Sequence, residues 1–504
     1  MNSFIVTITP PTPNGDLHVG HIAGPFLNAD IFSRAQKIQG AKSYLISYSD
    51  DYQSYLERKA LETGHSASKL AKENARKINE SLKLIDINLD NWLESYENQY
   101  FINEVSKIFE NARNKNLIAF KKSLEPYCSD SERWGYEAFA RGECNHCGHS
   151  SDASQCESCA MPPDAQEMRN LKNVFTGKEV IFKEIQRAYF LLSKIQNALK
   201  ERILSSPMRK SLREWVENIF RKGLKDWGIS RPYESGLLLN SNEEHRVHTW
   251  FMGLAGYLAT LKELSQLRHS QEQIENNIND TDGIYDLIKD ENTYMVHFLG
   301  MDCSYSHVIG YTALAMSNPD FKYKNAYYTN AFLKLGDEDF STSRGNAIWI
   351  RDLANKACPD SIRLYISLIS PEETTEKFDI ESFWVWRRDV FINVIVRMVL
   401  QIQEKLILPE KKYHVFNSLN YEGIVKKWKE YSSVNHFSAK KIANLLMDTI
   451  KLINKQLEKG SIDIKLVTLF ALISEPVIPR LSSKLKKMMS IKDIEEFYSL
   501  LKAS

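Results

Sequence analysis

Two histidines near the N-terminus have a spacing that suits phosphate binding. His18 and His21 stand three residues apart in "PTPNGDLHVGH", with Gly20 between them. If a helix begins there, the two share one face, and the first turn offers unpaired N–H groups with partial positive charge. Two imidazoles can then hydrogen-bond phosphate oxygens, while Gly20 lets a flat base or ribose approach closely. The alternative is a pair of surface histidines on a turn.

Four cysteines in one short segment predict a metal site. They form two C-x-x-C pairs eight residues apart: Cys144, Cys147, Cys156 and Cys159. This spacing is typical of tetrahedral zinc held by four thiolates, a closed site that stabilises a small domain and does no catalysis. His146 and His149 could substitute as ligands. The other three cysteines are isolated and are predicted to be core residues: Cys128, Cys303 and Cys358.

A strand, a turn, a helix and a second strand surround the histidines. Three prolines follow the run "FIVTIT", the helical pattern from Ile22 to Ile38 stops at Gly40, and "SYLISY" comes next. This order predicts a βαβ unit with a parallel sheet. Ligands bind at the carboxyl ends of such strands, which is where "PTPNGDLHVGH" and "YSDDYQ" would lie.

The predicted secondary structure changes several times along the rest of the chain. Residues 58–115 have helical patterns, and the next segment carries the cysteines. We predict that "HTWFMGLAGYLATL", with Trp250 and Tyr257 as core aromatics, and "YMVHFLGMD" are strands that resume the sheet. Gly300 and Asp302 would end the second of these strands, where they suit a ribose or a substrate ammonium. Nearly everything after about residue 386 is helical, which predicts an α-helical bundle.

Length and charge limit the broad class of protein. A chain of 504 residues is too long for a single core, so two to four domains are expected. No apolar run has the roughly 18 residues that span a bilayer, and the first residues do not resemble a signal peptide, so we predict a cytoplasmic protein. Residues 386–504 carry 21 Lys+Arg and 12 Asp+Glu, or +9, against −8 for the remainder. This block indicates either a polyanion partner or a lysine-rich solvated surface.

Together, these motifs resemble those of the methionyl-tRNA synthetase family, class I aminoacyl-tRNA synthetases, over almost the whole chain. The family's HIGH, post-strand, aromatic, G-K-D, KMSKS and stem-contact motifs correspond to "HVGH", "SDDYQ", "WFMGLAGY", "FLGMDCSYSH", "DFSTSRGN" and "DSIRLYISLISPEE". The resemblance implies an α/β fold, in which a Rossmann-type parallel-sheet domain with a zinc-knuckle insertion precedes an α-helical bundle. It divides the chain into a first Rossmann half (1–115), an inserted connective domain (116–235), a second Rossmann half (236–330), a KMSKS-like loop with the stem-contact segment (331–385) and an anticodon-binding-like bundle (386–504).

The resemblance also implies a reaction and its residues. Methionine or an analogue attacks ATP to form an aminoacyl-adenylate, and the acyl group passes to tRNA, which the basic bundle contacts; Mg²⁺ and structural Zn²⁺ are the cofactors. The implied catalytic residues are His18, His21, Ser341, Ser343 and Arg344. The implied ATP-binding residues are Asn14, Gly15, His18, Gly20, His21, Gly300, Asp302 and Thr342. The implied amino-acid-binding residues are Thr12, Asp50, Trp250, Tyr257, Cys303 and His307.

The loop that corresponds to KMSKS departs most from the family's pattern. Asp339 and Thr342 stand at its two lysine positions, which leaves Arg344 as the one cation within the loop. We expect Arg344, with Ser341 and Ser343, to contact phosphate. The neighbouring acids either point to solvent or hold Mg²⁺.

Departures elsewhere keep other functions open. Thr12 stands where the family has an aromatic residue, Cys303 where it has an aliphatic one, and Met301 replaces the lysine of G-K-D. The bundle also lacks the family's Pro-Trp segment for the anticodon. One alternative is therefore a tRNA-independent paralogue that activates an unusual amino acid for a small molecule or carrier. The other is a weakly active tRNA- or nucleotide-binding protein.

Overall fold

The strand that starts the chain becomes the centre of the main sheet. The structure is a computed structural model that describes residues 2–153, 155–232, 236–238, 245–276, 283–336, 338–339, 347–407 and 421–502. In chain order the strands are β1 (Ser3–Ile8), β2 (Ser43–Ser49), β3 (Asn91–Glu94), β4 (Ile118–Cys128), β5 (Arg133–Trp134), β6 (Ala140–Glu143), β7 (Ser150–Asp152), β8 (Arg169–Asn173), β9 (Ile181–Phe190), β10 (Trp227–Gly228), β11 (Ser230–Pro232), β12 (Leu237–Leu238), β13 (His245–Val247), β14 (Thr293–Gly300), β15 (Lys324–Asn330), β16 (Leu333–Leu335), β17 (Glu338–Asp339) and β18 (Glu376–Phe378).

Five strands form the parallel sheet that the βαβ pattern predicts. Their order is β15-β14-β1-β2-β3, and each neighbouring pair is parallel. In β1, Thr7 pairs with Ile46 of β2 on one side and with His297 of β14 on the other. Helices cover both faces of the sheet, which explains why its strands are continuous apolar runs. The predicted fold class is confirmed; β3 was missed within a region interpreted as wholly helical.

Helices make up most of the remaining chain. In chain order they are α1 (Val19–His21), α2 (Leu27–Ile38), α3 (Ser54–Thr63), α4 (Ala67–Leu84), α5 (Gln99–Asn114), α6 (Leu192–Leu204), α7 (Lys210–Lys222), α8 (Thr249–Asn276), α9 (Tyr311–Met316), α10 (Ile350–Ala354), α11 (Pro359–Leu368), α12 (Ile380–Trp386), α13 (Arg397–Ile407), α14 (Tyr421–Ser432), α15 (Ala439–Glu458), α16 (Ile464–Ile473), α17 (Pro479–Lys486) and α18 (Ile491–Lys502). Short 3₁₀ turns cover Glu137–Phe139, Ile284–Lys289 and Met301–Cys303, and π-helical stretches cover Ile22–Phe26, Tyr305–Gly310 and Arg387–Val396.

The two faces of the sheet belong to different hydrophobic cores. On β1, Phe4 and Val6 pack in one core with α2 and the C-terminal helices, whereas Ile5 faces a second core built with α5 and α8. This alternation follows from the two-residue repeat of a strand. The helical bundle predicted after residue 386 is confirmed for the described residues and shares the first of these cores.

One predicted strand is a helix. "HTWFMGLAGYLATL" belongs to α8, which packs against α5, β2 and β3. Residues from Phe251 to Leu261 are buried almost without interruption, so the helix is apolar on all sides in this part. A continuous apolar run has the same appearance in a buried strand and a buried helix, which is why periodicity could not separate them.

The segment between the two halves of the main sheet carries small antiparallel sheets. Strands β4 and β9 form a long antiparallel pair extended by β5 and β10. The four cysteines lie in the connections between β6 and β7 and between β7 and β8. The positions of this segment and of the bundle agree with the predicted order; the exact domain boundaries stay predictions.

A buried arginine joins the bundle to the main sheet domain. Arg363 of α11 is 0% exposed and donates to the Asp30 carboxylate on α2 at 2.6 Å. It also donates to the carbonyl oxygens of Val477 at 2.9 Å and Ile85 at 3.2 Å. A buried charge is tolerated only with such partners, so these contacts fix how the two parts meet.

Two sequence expectations concern the surface. Among the described residues, none of the helices has the length and apolarity that crossing a membrane requires. Cys128 is buried as predicted, but Cys358 is exposed and not a core residue, because it precedes α11 at a surface turn. The third isolated cysteine, Cys303, is partly buried and belongs to the site below.

Candidate active site

The two predicted phosphate-binding histidines cap a helix and each other. His18 is the N-cap of α1; its backbone N–H donates to Nδ1 of His21 at 3.2 Å, and the N–H of His21 donates to Nδ1 of His18 at 3.4 Å. The rings stack with centroids 3.7 Å apart. Gly20, between them, is partly exposed in the same turn. The local sequence therefore builds a reciprocal cap in which histidines take the usual roles of serine and glutamate.

Burial keeps both rings neutral. It lowers the pKa of His18 to about 2, with a further contribution from His21. It lowers the pKa of His21 to about 4, against the opposing influence of Asp16. Since each Nδ1 accepts a backbone N–H, the ring proton lies on Nε2 in both residues. The pair can therefore offer two N–H donors to phosphate oxygens without bringing positive charge.

The chain just after the KMSKS-like loop is hydrogen-bonded to the start of this helix. The N–H of Val19 donates to the carbonyl of Ile348 at 3.0 Å, and the N–H of Ile350 donates to Leu17 at 3.0 Å. His18 and Trp349 thus form an isolated antiparallel bridge. These bonds place residues 348–350, which follow the loop in the sequence, beside the histidines. The predicted loop residues themselves, Ser341, Thr342, Ser343 and Arg344, lie outside the described residues.

Asp50 lies at the carboxyl end of β2 with both oxygens occupied. Its Oδ1 accepts from the Thr249 hydroxyl at 2.5 Å, and its Oδ2 accepts from the Gln53 amide at 2.5 Å. Burial raises the pKa of the Asp50 carboxyl to about 7, although these two donors stabilise the ionised form. A cation placed beside this carboxylate, such as the ammonium of an amino acid, would stabilise its ionised form.

Asp50 forms one wall of a cavity of ≈ 180 Å³. The cavity is lined by Thr9, Pro10, Thr12, Asp50, Gln53, Tyr55, Gln155, Glu157, Trp250, Asp302, Cys303, Ser306, His307 and Tyr311. Its volume is below the roughly 300–1,000 Å³ of sites for drug-sized ligands, so it suits an amino acid. A larger hollow of ≈ 920 Å³ between α2 and α18 contains none of the predicted site residues.

The structure brings most of the predicted amino-acid-binding residues to this cavity, with one exception. Tyr257 is 0% exposed and lies behind the cavity wall, where its hydroxyl is 3.1 Å from Nε2 of His307 and donates to the carbonyl of Ile8 at 3.1 Å. Nδ1 of His307 is 3.2 Å from the carbonyl of Cys303. Tyr257 is thus placed to orient His307.

The predicted nucleotide residues are found in two places. An ideal Cβ on Gly300 would lie 2.3 Å from Oδ1 of Asp302, so the glycine lets this carboxylate fold back over the end of β14. Desolvation, with the nearby Glu157, raises the pKa of Asp302 to about 6. Asn14 and Gly15 lie in the turn before α1, where the Asn14 N–H donates to Thr12 at 2.8 Å. The turn and the end of β14 border the same carboxyl edge of the sheet.

Sequence reasoning missed several residues of the cavity. Tyr311 reaches across to α8: an ideal Cβ on Gly253 would lie 1.6 Å from its hydroxyl oxygen. Gln155, within the cysteine segment, donates its amide to the carbonyl of Asp302 at 2.7 Å, and Glu157 lines the same wall. The spacing G-L-A-G in α8 was the only available signal, since two glycines inside a helix require a close neighbour.

The four cysteines come together as predicted. Their sulfur atoms all lie within 4.8 Å of one another, with Cys144 and Cys159 3.9 Å apart and Cys147 and Cys156 3.6 Å apart. A tetrahedron with Zn–S bonds of about 2.3 Å requires sulfur atoms roughly 3.8 Å apart. Burial raises the pKa of the Cys144 and Cys159 thiols, so a cation is needed to hold them as thiolates. The residues therefore fit zinc.

Comparison with known proteins decides the family. The family model described as tRNA synthetases class I (M) matches residues 4–401. The chain belongs to this family. A methionine–tRNA ligase of Francisella tularensis subsp. holarctica is 28% identical to this synthetase-family chain over 375 residues, which are 73% of this chain and 53% of the relative. One of Thermoplasma volcanium is 26% identical over 435 residues, 85% of this chain and 78% of the relative.

Solved structures share this fold over nearly the whole chain. Mycobacterium tuberculosis methionyl-tRNA synthetase in complex with methionyl-adenylate matches with a TM-score of 0.75 and 16% identity, covering 99% of this chain and 96% of that one. The chain spans about half the length of the Francisella relatives. At such low identity the structural likeness establishes the fold, and the reaction is argued below.

Proposed function

We propose that this chain activates methionine with ATP to form methionyl-adenylate and transfers the methionyl group to tRNA. Membership of the tRNA synthetases class I (M) and the names of the relatives, methionine–tRNA ligases, support this proposal. The observation that carries it is the placement of two neutral imidazole donors and the buried Asp50 along one sheet edge. That edge can hold a triphosphate and an amino acid side by side.

In the activation step, an oxygen of the amino-acid carboxylate attacks the α-phosphorus of ATP. A P–O bond forms to the carboxylate, the bond to the β-phosphate bridging oxygen breaks, and pyrophosphate leaves with that electron pair. His18 and His21 would donate their Nε2–H groups to phosphate oxygens whose charge grows during the attack. Because both rings are neutral, positive charge must come from elsewhere. Arg344 is our candidate, with Ser341 and Ser343 as further donors, and Mg²⁺ would enter as the counter-ion of ATP.

The cavity would bind the amino acid. Ionised Asp50 would take the α-ammonium, while Trp250 and His307 provide walls for the side chain. Thr12 and Cys303 complete that wall, and Tyr257 holds His307 in place. A thioether side chain gains mainly from apolar contact, and one methylene of mismatch is worth about 1–3 kcal/mol. This small difference leaves the wall residues to decide between related amino acids.

The acyl group would then pass to a ribose hydroxyl at the end of tRNA, which breaks the bond to AMP. The +9 charge of residues 386–504 supports contact with the tRNA backbone. The four thiolates from Cys144 to Cys159 would hold Zn²⁺. Bound there, the ion supplies folding free energy to the inserted segment, and the steps above rely on the chain's own residues.

The test is ATP–pyrophosphate exchange with a panel of amino acids, followed by charging of tRNA. We expect exchange with methionine and acylation of a methionine tRNA, both lowered about 10²–10³-fold in His21→Asn and retained in His65→Asn, which changes an exposed histidine. Exchange without charging would instead support a tRNA-independent paralogue that passes the amino acid to a small molecule or carrier. The polar Thr12, Cys303 and Tyr311 at the cavity would suit the unusual amino acid of such a paralogue. No exchange with any amino acid would refute both enzyme functions.

A further inference from the structure

A glutamate in the inserted segment lies buried in an unfavourable backbone conformation. Glu137 opens the short turn Glu137–Phe139, is 2% exposed and has φ of 50°. The left-handed region is uncommon for residues other than glycine, asparagine and aspartate. A buried carboxylate is also costly unless it is paired. Both features indicate that its surroundings hold this side chain in place for a reason.

The partners of Glu137 come from three separate parts of the chain. Its Oε2 accepts from the hydroxyl of Ser54, at the start of α3, at 2.8 Å. Its Oε1 accepts from Nε of Arg231 in β11 at 3.1 Å and contacts Nε2 of His248, which precedes α8. The Ser54 hydroxyl oxygen also accepts from the backbone N–H of Ala138 at 3.4 Å, so the turn and α3 are bonded in both directions.

Two of these partners are chain neighbours of the groups that hold Asp50. Gln53 precedes Ser54, and Thr249 follows His248; these are the two residues that donate to the Asp50 carboxylate, each at 2.5 Å. The two residues that Glu137 contacts are therefore directly adjacent in sequence to the two donors of Asp50.

The cavity aromatic Trp250 depends on the same histidine. Its backbone N–H donates to Nδ1 of His248 at 3.1 Å, and the two rings meet edge to face with centroids 5.0 Å apart. The other ring nitrogen of His248, Nε2, is in close contact with the Glu137 carboxylate. One carboxylate thus orients the ring that supports the wall of the cavity.

We infer that Glu137 is a positioning residue for amino-acid binding, which fixes Gln53, Thr249 and Trp250 around Asp50. This role deepens the proposed function, on which it rests. It means that the amino-acid site is complete only when the inserted segment is docked against α3 and α8. Glu137 itself does not touch the substrate.

The first test is steady-state kinetics of Glu137→Gln. We expect the KM for methionine to rise about tenfold or more, while the KM for ATP stays within about twofold. The reason is that the charged carboxylate to which several buried groups are bonded is lost. Glu125→Gln is the matched control: Glu125 is also buried in the inserted segment and pairs with Arg187, away from the cavity. Equal effects of both variants on the two KM values would overturn the inference.

A second test needs no substrate. Hydrogen–deuterium exchange of the segments 50–54 and 248–253 should be faster in Glu137→Gln than in wild type or Glu125→Gln, since the contacts that hold them are weakened. Unchanged exchange in both segments would refute the positioning role even if wild type failed to activate methionine, which would refute the proposed function separately. If Glu137→Gln does not fold, Ser54→Ala, which removes one partner only, should show the same pattern to a smaller extent; no change there overturns the inference.

Discussion

A methyl group added at residue 253 tests whether Tyr311 shapes the amino-acid cavity. In Gly253→Ala, the new Cβ would lie 1.6 Å from the Tyr311 hydroxyl oxygen and 2.2 Å from its Cζ, so the ring must move. Tyr311 is 4% exposed, lines the cavity and lies against His307 with ring centroids 4.5 Å apart. Overpacking of this kind costs about 1–3 kcal/mol. If this whole free-energy cost disfavours the enzyme with amino acid bound relative to the free enzyme, the KM for the amino acid rises roughly 5- to 140-fold.

Gly256→Ala provides the control for Gly253→Ala. Its Cβ would lie 2.3 Å from the ring of Tyr48, which is equally buried but does not line the cavity. Urea unfolding should show a similar loss of stability in both variants, whereas pyrophosphate exchange should show a raised amino-acid KM mainly in Gly253→Ala. The double variant with Tyr311→Leu, which removes the atoms in conflict, should lose less stability than the two single changes added together. An unchanged KM in Gly253→Ala would show that Tyr311 does not shape the site.

Four other predictions follow from the site. The pKa of Asp50 is about 7 in the folded protein against an ordinary 3.8, so between these values the unfolded state loses its proton first and the free energy of unfolding falls as pH rises. Asp50→Asn should make this slope smaller in urea titrations, while the raised pKa values of Asp51 and Asp302 keep part of it. Amino-acid affinity should rise through pH 7 in wild type only. His21→Asn should lower adenylate formation about 10²–10³-fold without changing the shape of the pH profile from 6 to 9, and the loss in the variant of a limb that wild type shows there would contradict a neutral His21. Metal analysis should give about one zinc per chain and less in Cys156→Ser, while an active zinc-free preparation would rule the site out. Arg344→Ala should sharply slow adenylate formation measured by pyrophosphate exchange, and an equal rate would exclude its phosphate role.

The parts of the fold that could be predicted from the sequence are those that local patterns determine. The cap at His18 and the end of α2 before Gly40, which has φ of 85°, are both determined within a few residues, and so is the βαβ unit. The cysteine pairs were equally local, because their spacing alone defines the ligand set. The misread run in α8 shows the limit, since its burial on all sides removed the periodicity that distinguishes helix from strand.

The missing parts of the site depend on distant contacts. Glu137 and Ser54 are 83 residues apart, and Gln155 and Asp302 are 147 apart. Neither the glutamate in "YEAFA" nor the glutamine in "SQCESC" differs in sequence from an ordinary surface residue. Their roles arise from how the inserted segment docks on the sheet, which no local propensity encodes.

The order of strands also determines when neighbouring strands can pair during synthesis of this protein. β1 comes before the other described strands and lies at the middle of the sheet, yet its partner β14 is 290 residues further along the chain. At about 5–20 residues per second, a ribosome needs roughly 15 to 60 seconds to supply that neighbour. During this interval one edge of β1 lacks its native partner, which favours chaperone protection or pairing with other chains. The segment around Trp349, bonded to His18, emerges later still, so the histidine helix receives these backbone partners only after β14 and β15 have been made.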